Sequence, residues 1–172
     1  MKKFKLMMVF VLALIFGTIG FAGCGAKPVK EETFESTWGL SITLNSKFYR
    51  TTSSFSMCLT DDNVVFMANR EKKSSFVILG YDADMSLEEY AQLCIESNGL
   101  TCDIEHDLEN DFVYFEYTNV SQGAEYYYFA VAKKGEYAYW LCQFACLNRE
   151  KAKYQNKMVG WATTITINDL PY

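Results

Sequence analysis

The chain has one histidine, His106, and six cysteines, so acid–base, metal and thiol chemistry have few places to start. A lone imidazole excludes sites built from several histidines and makes any hydrolase triad depend on residue 106. His106 stands among Glu105, Asp107 and Glu109. Neighbouring carboxylates favour the protonated ring, which allows a pH-responsive role beside the plainer one of a turn histidine. No Gly-x-Ser-x-Gly elbow, phosphate-cradling glycine loop or dinucleotide fingerprint occurs. Asp103, Glu105, Asp107, Glu109 and Asp111 recur at every second position. In extended backbone they form a carboxylate ridge that can attract calcium, but it spreads its oxygens about 6 to 7 Å apart instead of converging them. The ridge better suits a solvated sheet edge that resists aggregation. Asp82-Ala83-Asp84-Met85-Ser86 begins like a calcium loop yet lacks its glycine and full ligand spacing. Acids there fit the positive end of a helix. The expectation is no catalytic residue, no metal site and no cofactor.

Cys24, the first of the six cysteines, has a different setting. Met1-Lys2-Lys3-Phe4-Lys5 is a basic start, Leu6 to Ile19 is apolar apart from Gly17 and Thr18, and Phe21-Ala22-Gly23-Cys24 follows. This is the layout of a secretory signal, and its end resembles a bacterial lipobox, with Phe21 where an aliphatic residue is commoner. Cys24 is then the lipidated first residue of the mature chain, with residues 1–23 as the signal peptide. The competing reading is an uncleaved anchor, since about 22 residues at roughly 1.5 Å each just span a bilayer. Residues 24–33 are a flexible tether poor in side chains to bury.

Residues 1–23 carry three of the 16 basic side chains and none of the 21 acidic ones, so the net charge of −5 becomes −8 without them. A body that acidic is a poor match for nucleic acid or an anionic lipid surface, and no nucleic-acid partner is expected. With Cys24 lipidated, Cys58, Cys94, Cys102, Cys142 and Cys146 remain, an odd number. Cys142 and Cys146 on one strand lie about 13 Å apart, too far to bridge. Cys94 and Cys102 can meet if the chain reverses at Asn98-Gly99; buried free thiols are the default.

Residues 34–172 show no repeat or low-complexity tract and are expected to form a single domain. Phe34 to Leu44 reads as two extended pieces around Gly39, with Leu40, Ile42 and Leu44 alternating against Ser41 and Thr43. Val64–Asn69 and Phe76–Tyr81 suggest a hairpin. Ser86-Leu87-Glu88-Glu89 matches a capping box, and Leu87, Tyr90, Ala91, Cys94 and Ile95 follow at helical spacing up to Asn98-Gly99. Then come a short strand near Leu100 to Glu105, long strands at Phe112–Asn119, Glu125–Lys133 and Glu136–Ala145, a second helix from Arg149 to Ala162, and a closing strand at Thr163–Ile167.

A tight turn at Lys134-Gly135 pairs Lys133 with Glu136, placing Val131, Phe129 and Tyr127 on one face with Ala138, Trp140 and Cys142. An odd-length loop before Glu125 brings Val113, Phe115 and Tyr117 to that face. Tyr114, Tyr126, Tyr128, Tyr137 and Tyr139 then share the other. Tyrosine suits a packed ring with a wet hydroxyl, so that face is either roofed by the second helix or an open groove for a ligand or peptide.

Trp38-Gly39-Leu40-Ser41-Ile42-Thr43-Leu44, Met85-Ser86-Leu87-Glu88-Glu89-Tyr90-Ala91, Tyr126 to Phe144 and Trp161-Ala162-Thr163-Thr164-Ile165 carry a resemblance. The chain resembles the PsbP-like fold, which includes small bacterial lipoproteins, although Leu44-Asn45-Ser46 stands where a proline usually follows the second strand. The resemblance implies an α+β domain: an antiparallel sheet of six to seven strands with helices packed on its faces. It transfers no functional residue.

The expected function is a non-enzymatic binding module for a protein, peptide or small ligand, exported and held to a bacterial membrane through Cys24. Tyr114, Tyr126, Tyr128, Tyr137 and Tyr139 are the candidate contacts. The alternative is a structural accessory subunit of a membrane complex.

Overall fold

The computed structural model describes residues 29–171 apart from 111. The expected signal peptide, Cys24 and half of the expected tether, residues 24–28, lie outside the described residues.

Among the described residues ten strands form two antiparallel sheets. β1 (Glu31–Glu35) and β10 (Thr166–Ile167) flank β2 (Leu40–Asn45). The larger sheet holds β3 (Tyr49–Arg50), β4 (Met57–Thr60), β5 (Val64–Lys72), β6 (Ile104–Asp107), β7 (Phe112–Ser121), β8 (Ala124–Lys134) and β9 (Ala138–Leu147), in the order β3-β4-β5-β9-β8-β7-β6. Three helices complete the fold: α1 (Lys73–Ile78), α2 (Leu87–Ser97) and α3 (Lys151–Ala162). The architecture is the α+β arrangement implied by the PsbP-like resemblance. One difference is at the start, where Glu31, Glu32 and Thr33, expected in the tether, pair with Asn45, Leu44 and Thr43 in β1.

The seven-stranded sheet is buried on both faces, which explains the near-continuous burial of β8 and β9. On one face, Leu40, Ile42 and Leu44 of β2 join Tyr154, Met158 and Ala162 of α3 over Phe129, Val131, Trp140 and Phe144. On the other, Tyr90, Ala91, Cys94 and Ile95 of α2 cover Phe115, Tyr128, Ala130 and Leu141. At about 25 cal/mol per Å² of apolar area buried, these two layers are the main source of stability.

α2 begins where the capping box places it. Ser86 Oγ accepts from Glu89 N at 3.1 Å, and Glu89 Oε2 accepts from Ser86 N at 2.8 Å. Asn98 caps its end, and Gly99 follows at φ +62°.

The hairpin expected from Val64–Asn69 and Phe76–Tyr81 is not formed. β5 runs on to Lys72 and is paired on both edges, with β4 and β9, so residues 76–81 have no strand left to join. Lys73 N donates to Tyr137 O, and the chain turns into α1, which buries only Phe76.

The β8–β9 register is displaced by four residues from the tight-turn expectation: Lys134, not Lys133 with Glu136, makes the last pair, with Tyr139. Val131 therefore faces Cys142 and Phe129 faces Phe144. An even displacement keeps every side chain on its expected face. Asp169 accounts for the wider turn, since its carboxylate accepts from Glu136 N at 2.8 Å and Tyr137 N at 3.1 Å. The loop before β8 is even, however. Ser121 pairs with Ala124 around Gln122 and Gly123, both at positive φ, so Val113, Phe115 and Tyr117 lie on the α2 side, opposite to expectation.

Candidate functional site

The five tyrosines do not share a face. Tyr126, Tyr128 and Tyr139 lie on the α2 side and are buried, Tyr128 to 1% exposure and Tyr139 to 0%. Tyr114 lies on the α3 side, half-buried against Phe112 and Phe129. Tyr137 belongs to the β8–β9 loop and is exposed. The register error at β7 misplaced Tyr114, and the longer turn removed Tyr137 from the sheet. The roof over the remaining three is α2, whereas the expected roof, α3, covers the opposite face.

These buried rings anchor the layer above them. Tyr139 stacks on Tyr90 of α2 at 4.8 Å between centroids and donates its hydroxyl proton to Met85 O at 2.7 Å. Tyr117 and Tyr128 stack at 4.6 Å and 2°. Gln143 Nε2 donates to the Tyr117 hydroxyl at 2.9 Å, which satisfies a buried amide. Lys73 and Lys134 both reach Asp84 Oδ1, at 3.1 and 2.9 Å, and hydrogen bonds from the two ammonium groups hold the Asp84 carboxyl below its ordinary range. Asp82 Oδ1 accepts from Asp84 N at 2.8 Å. The Asp82–Ser86 segment thus links α1 to α2 as a braced turn.

Glu71 is a buried carboxyl that the sequence did not reveal. It lies near Tyr90, whose hydroxyl completes no well-formed hydrogen bond, and burial pushes the Glu71 carboxyl above its ordinary value. The only sequence signal was its place at the end of an apolar strand.

No described cysteine is in a disulfide; Cys94 and Cys102 are both free. Burial pushes the Cys142 thiol up to about 12 and Cys146 to about 11, so both are neutral and poor nucleophiles. His106 Nε2 lies 2.6 Å from Glu88 Oε1, with both side chains exposed. The acidic ridge is extended only through β6; Asp107 then caps a turn by accepting from Glu109 N and Asn110 N. Among the described residues no three His, Cys, Asp or Glu side chains are grouped to hold a metal ion.

The surface feature that stands out is one the sequence reading assigned to a strand. Val77, Ile78 and Leu79 are 54%, 85% and 43% exposed, and Tyr81 follows them into a groove of about 600 Å³ between α2 and β6. Tyr81, Met85, Leu93 and Ile104 supply its apolar lining, and Asp82, Glu88, Glu89 and Glu96 its carboxylates. Residues 85, 88–89, 92–93 and 96 are spaced three and four apart, so one side of α2 forms the wall. Among the described residues the salt bridges give these four carboxylates no lysine or arginine; Glu88 has His106, while Glu96 accepts from Gln92 Nε2 at 2.8 Å. Contiguous exposed aliphatics of this kind mark interaction sites on soluble domains.

The chain is thus an α+β sandwich that buries Tyr126, Tyr128 and Tyr139 and exposes an apolar, acid-walled groove. No family model matches the chain, and no curated protein matches it. Solved structures do. A protein from Bacteroides thetaiotaomicron VPI-5482 is similar at a TM-score of 0.53 and 11% identity, over 83% of this chain; this chain spans 50% of that one. Cyanobacterial PsbP from Synechocystis sp. PCC 6803 is similar at 0.49 and 8% identity, over 88% of this chain and 99% of that one. LpqN, involved in cell envelope biogenesis of Mycobacterium tuberculosis, is similar at 0.46 and 8% identity, over 82% and 92%. The likeness is one of fold. Among the described residues no helix is long and apolar enough to cross a membrane.

Proposed function

We propose that this chain is an exported lipoprotein, anchored through Cys24, whose body is a non-enzymatic binding module working through the α2–β6 groove. The observation that carries the reading is the exposed Val77–Tyr81 run opening onto that groove. An aliphatic stretch left in water beside a built wall has a cost that contact with a partner removes. The groove replaces the tyrosine face as the binding surface. The basic start, apolar run and Ala22-Gly23-Cys24 of the sequence support the anchor.

Two measurements test this reading. Metabolic labelling with a fatty acid marks the wild-type chain and not Cys24→Ala; equal label in both defeats the anchor. A photo-crosslinker at position 78 captures a neighbour in intact cells, whereas one at Asn156 on the outer side of α3 does not. Equal capture from both positions defeats the site. Stoichiometric co-isolation of the captured protein identifies an accessory subunit, and capture without co-isolation identifies a reversible binder.

A further inference from the structure

We propose that the occupant of the α2–β6 groove is a basic amphipathic helical segment of a partner protein, its apolar residues on the groove floor and on the Val77–Tyr81 run that leads into it, its lysines or arginines against the α2 carboxylates. The inference rests on the binding-module reading and names the class of partner.

Charge selects the sign. Asp82, Glu88, Glu89 and Glu96 line one groove without a lysine or arginine among the described residues lining it. Lys73 and Lys134, which reach Asp84 beside the groove's Asp82 and Met85, are committed to that carboxylate. A cleft of one sign over low-dielectric walls focuses its field, attracting cations and repelling anionic lipid or nucleic acid.

Apolar exposure excludes a purely ionic ligand. Ile78, two residues before the groove's first lining residue Gly80, extends almost wholly into water, and Tyr81, Met85, Leu93 and Ile104 give the groove its own apolar surface. A polyamine or a lone cation leaves that surface wet. A second copy of this chain presenting α3 fits poorly as well: the outward side of α3 offers Lys153 and Lys157, but beside them only Ala152, Asn156 and Gly160, with no large aliphatic side chain to meet Ile78.

Length sets the segment. Glu88 and Glu96 are eight residues apart, about 12 Å along α2 at 1.5 Å per residue. A partner helix lying in the groove meets both with basic residues seven or eight positions apart, and buries residues at i, i+3 or i+4, and i+7.

The test uses the full-length chain in phosphatidylcholine nanodiscs and a fluorescent 14-residue peptide with leucines at i, i+4 and i+7 flanked by lysines. The expected result is saturable binding that weakens at least tenfold between 50 and 500 mM NaCl, since exposed charge pairs are screened. Glu88→Lys/Glu96→Lys weakens it tenfold or more, and so does Ile78→Ser, which alters an exposed side chain and leaves folding intact. A peptide with leucines unchanged and glutamate for lysine binds at least tenfold more weakly. Equal binding of the two peptides, abolished by Ile78→Ser, overturns the basic partner and leaves the binding-module reading standing. No binding of either peptide, or binding indifferent to all three substitutions, overturns the proposal. Concentration-dependent self-association lost in Ile78→Ser assigns the groove to a second copy and also overturns it.

Discussion

The Tyr139 hydroxyl in the middle layer donates to the carbonyl oxygen of Met85 at 2.7 Å, so a strand residue holds the turn on which the groove wall begins. Lys134 Nζ reaches the same carbonyl at 3.1 Å. Tyr139→Phe keeps the ring stack with Tyr90 and removes one of the two donors. The expected cost is about 1 kcal/mol of stability, with faster amide hydrogen exchange over residues 81–86 and unchanged exchange in β8.

Tyr128, 1% exposed and stacked on Tyr117, is core. Tyr128→Ala is expected to cost about 3–5 kcal/mol, as for other large buried rings, measured by urea unfolding. A loss below 1 kcal/mol contradicts its placement under α2.

Glu71 gives stability a pH dependence. Burial raises its carboxyl pKa in the folded chain, so the native state binds that proton more tightly than the unfolded state. The stability tied to the proton is complete below the ordinary value of 4.5 and is lost as pH rises through the raised native value. Glu71→Gln removes this dependence and is expected to be more stable than wild type at pH 7, by on the order of 1 kcal/mol. At pH 4 the two chains converge. Thermal melts at both pH values check the sign.

Gly39 adopts φ +90°, and a Cβ there would stand 2.0 Å from Asn168 O. Asn168 N donates to Gly39 O at 2.7 Å in the same approach. Gly39→Ala is therefore expected to cost more than about 2 kcal/mol and to release the segment after β10, raising hydrogen exchange at Asn168 and at the Asp169-capped Glu136 and Tyr137.

What could be read from the sequence was local. Ser86 and Glu89 sit three apart and fix the start of α2 with no outside help, so the helix was placed to the residue. β8 and β9 were legible as long apolar runs, and the faces assigned to them from the turn survived a four-residue register change because that change is even. Distant partners decided the rest. Asp169, more than thirty residues downstream, shapes the turn after Lys134; the β7 face depends on one loop residue; and Phe76–Tyr81 became helix and turn because both edges of β5 are occupied. The groove was missed for the same reason. Its apolar residues have the composition of a strand, and only topology leaves them outside.

β1 meets the rest of the body through little more than Phe34, the one buried residue of its five. Its mouth is fastened by Ser46 N to Lys30 O at 2.7 Å and by Lys30 N to Ser46 Oγ at 3.2 Å. A pull on the preceding chain loads those bonds first and then unzips the ladder one rung at a time. Under such a pull the five residues of β1, roughly 16 Å at about 3.3 Å each, are expected to extend before the main core carries the load. Single-molecule stretching from the N-terminal side is expected to record this short low-force step ahead of the main rupture, and proline at Thr33 to erase it.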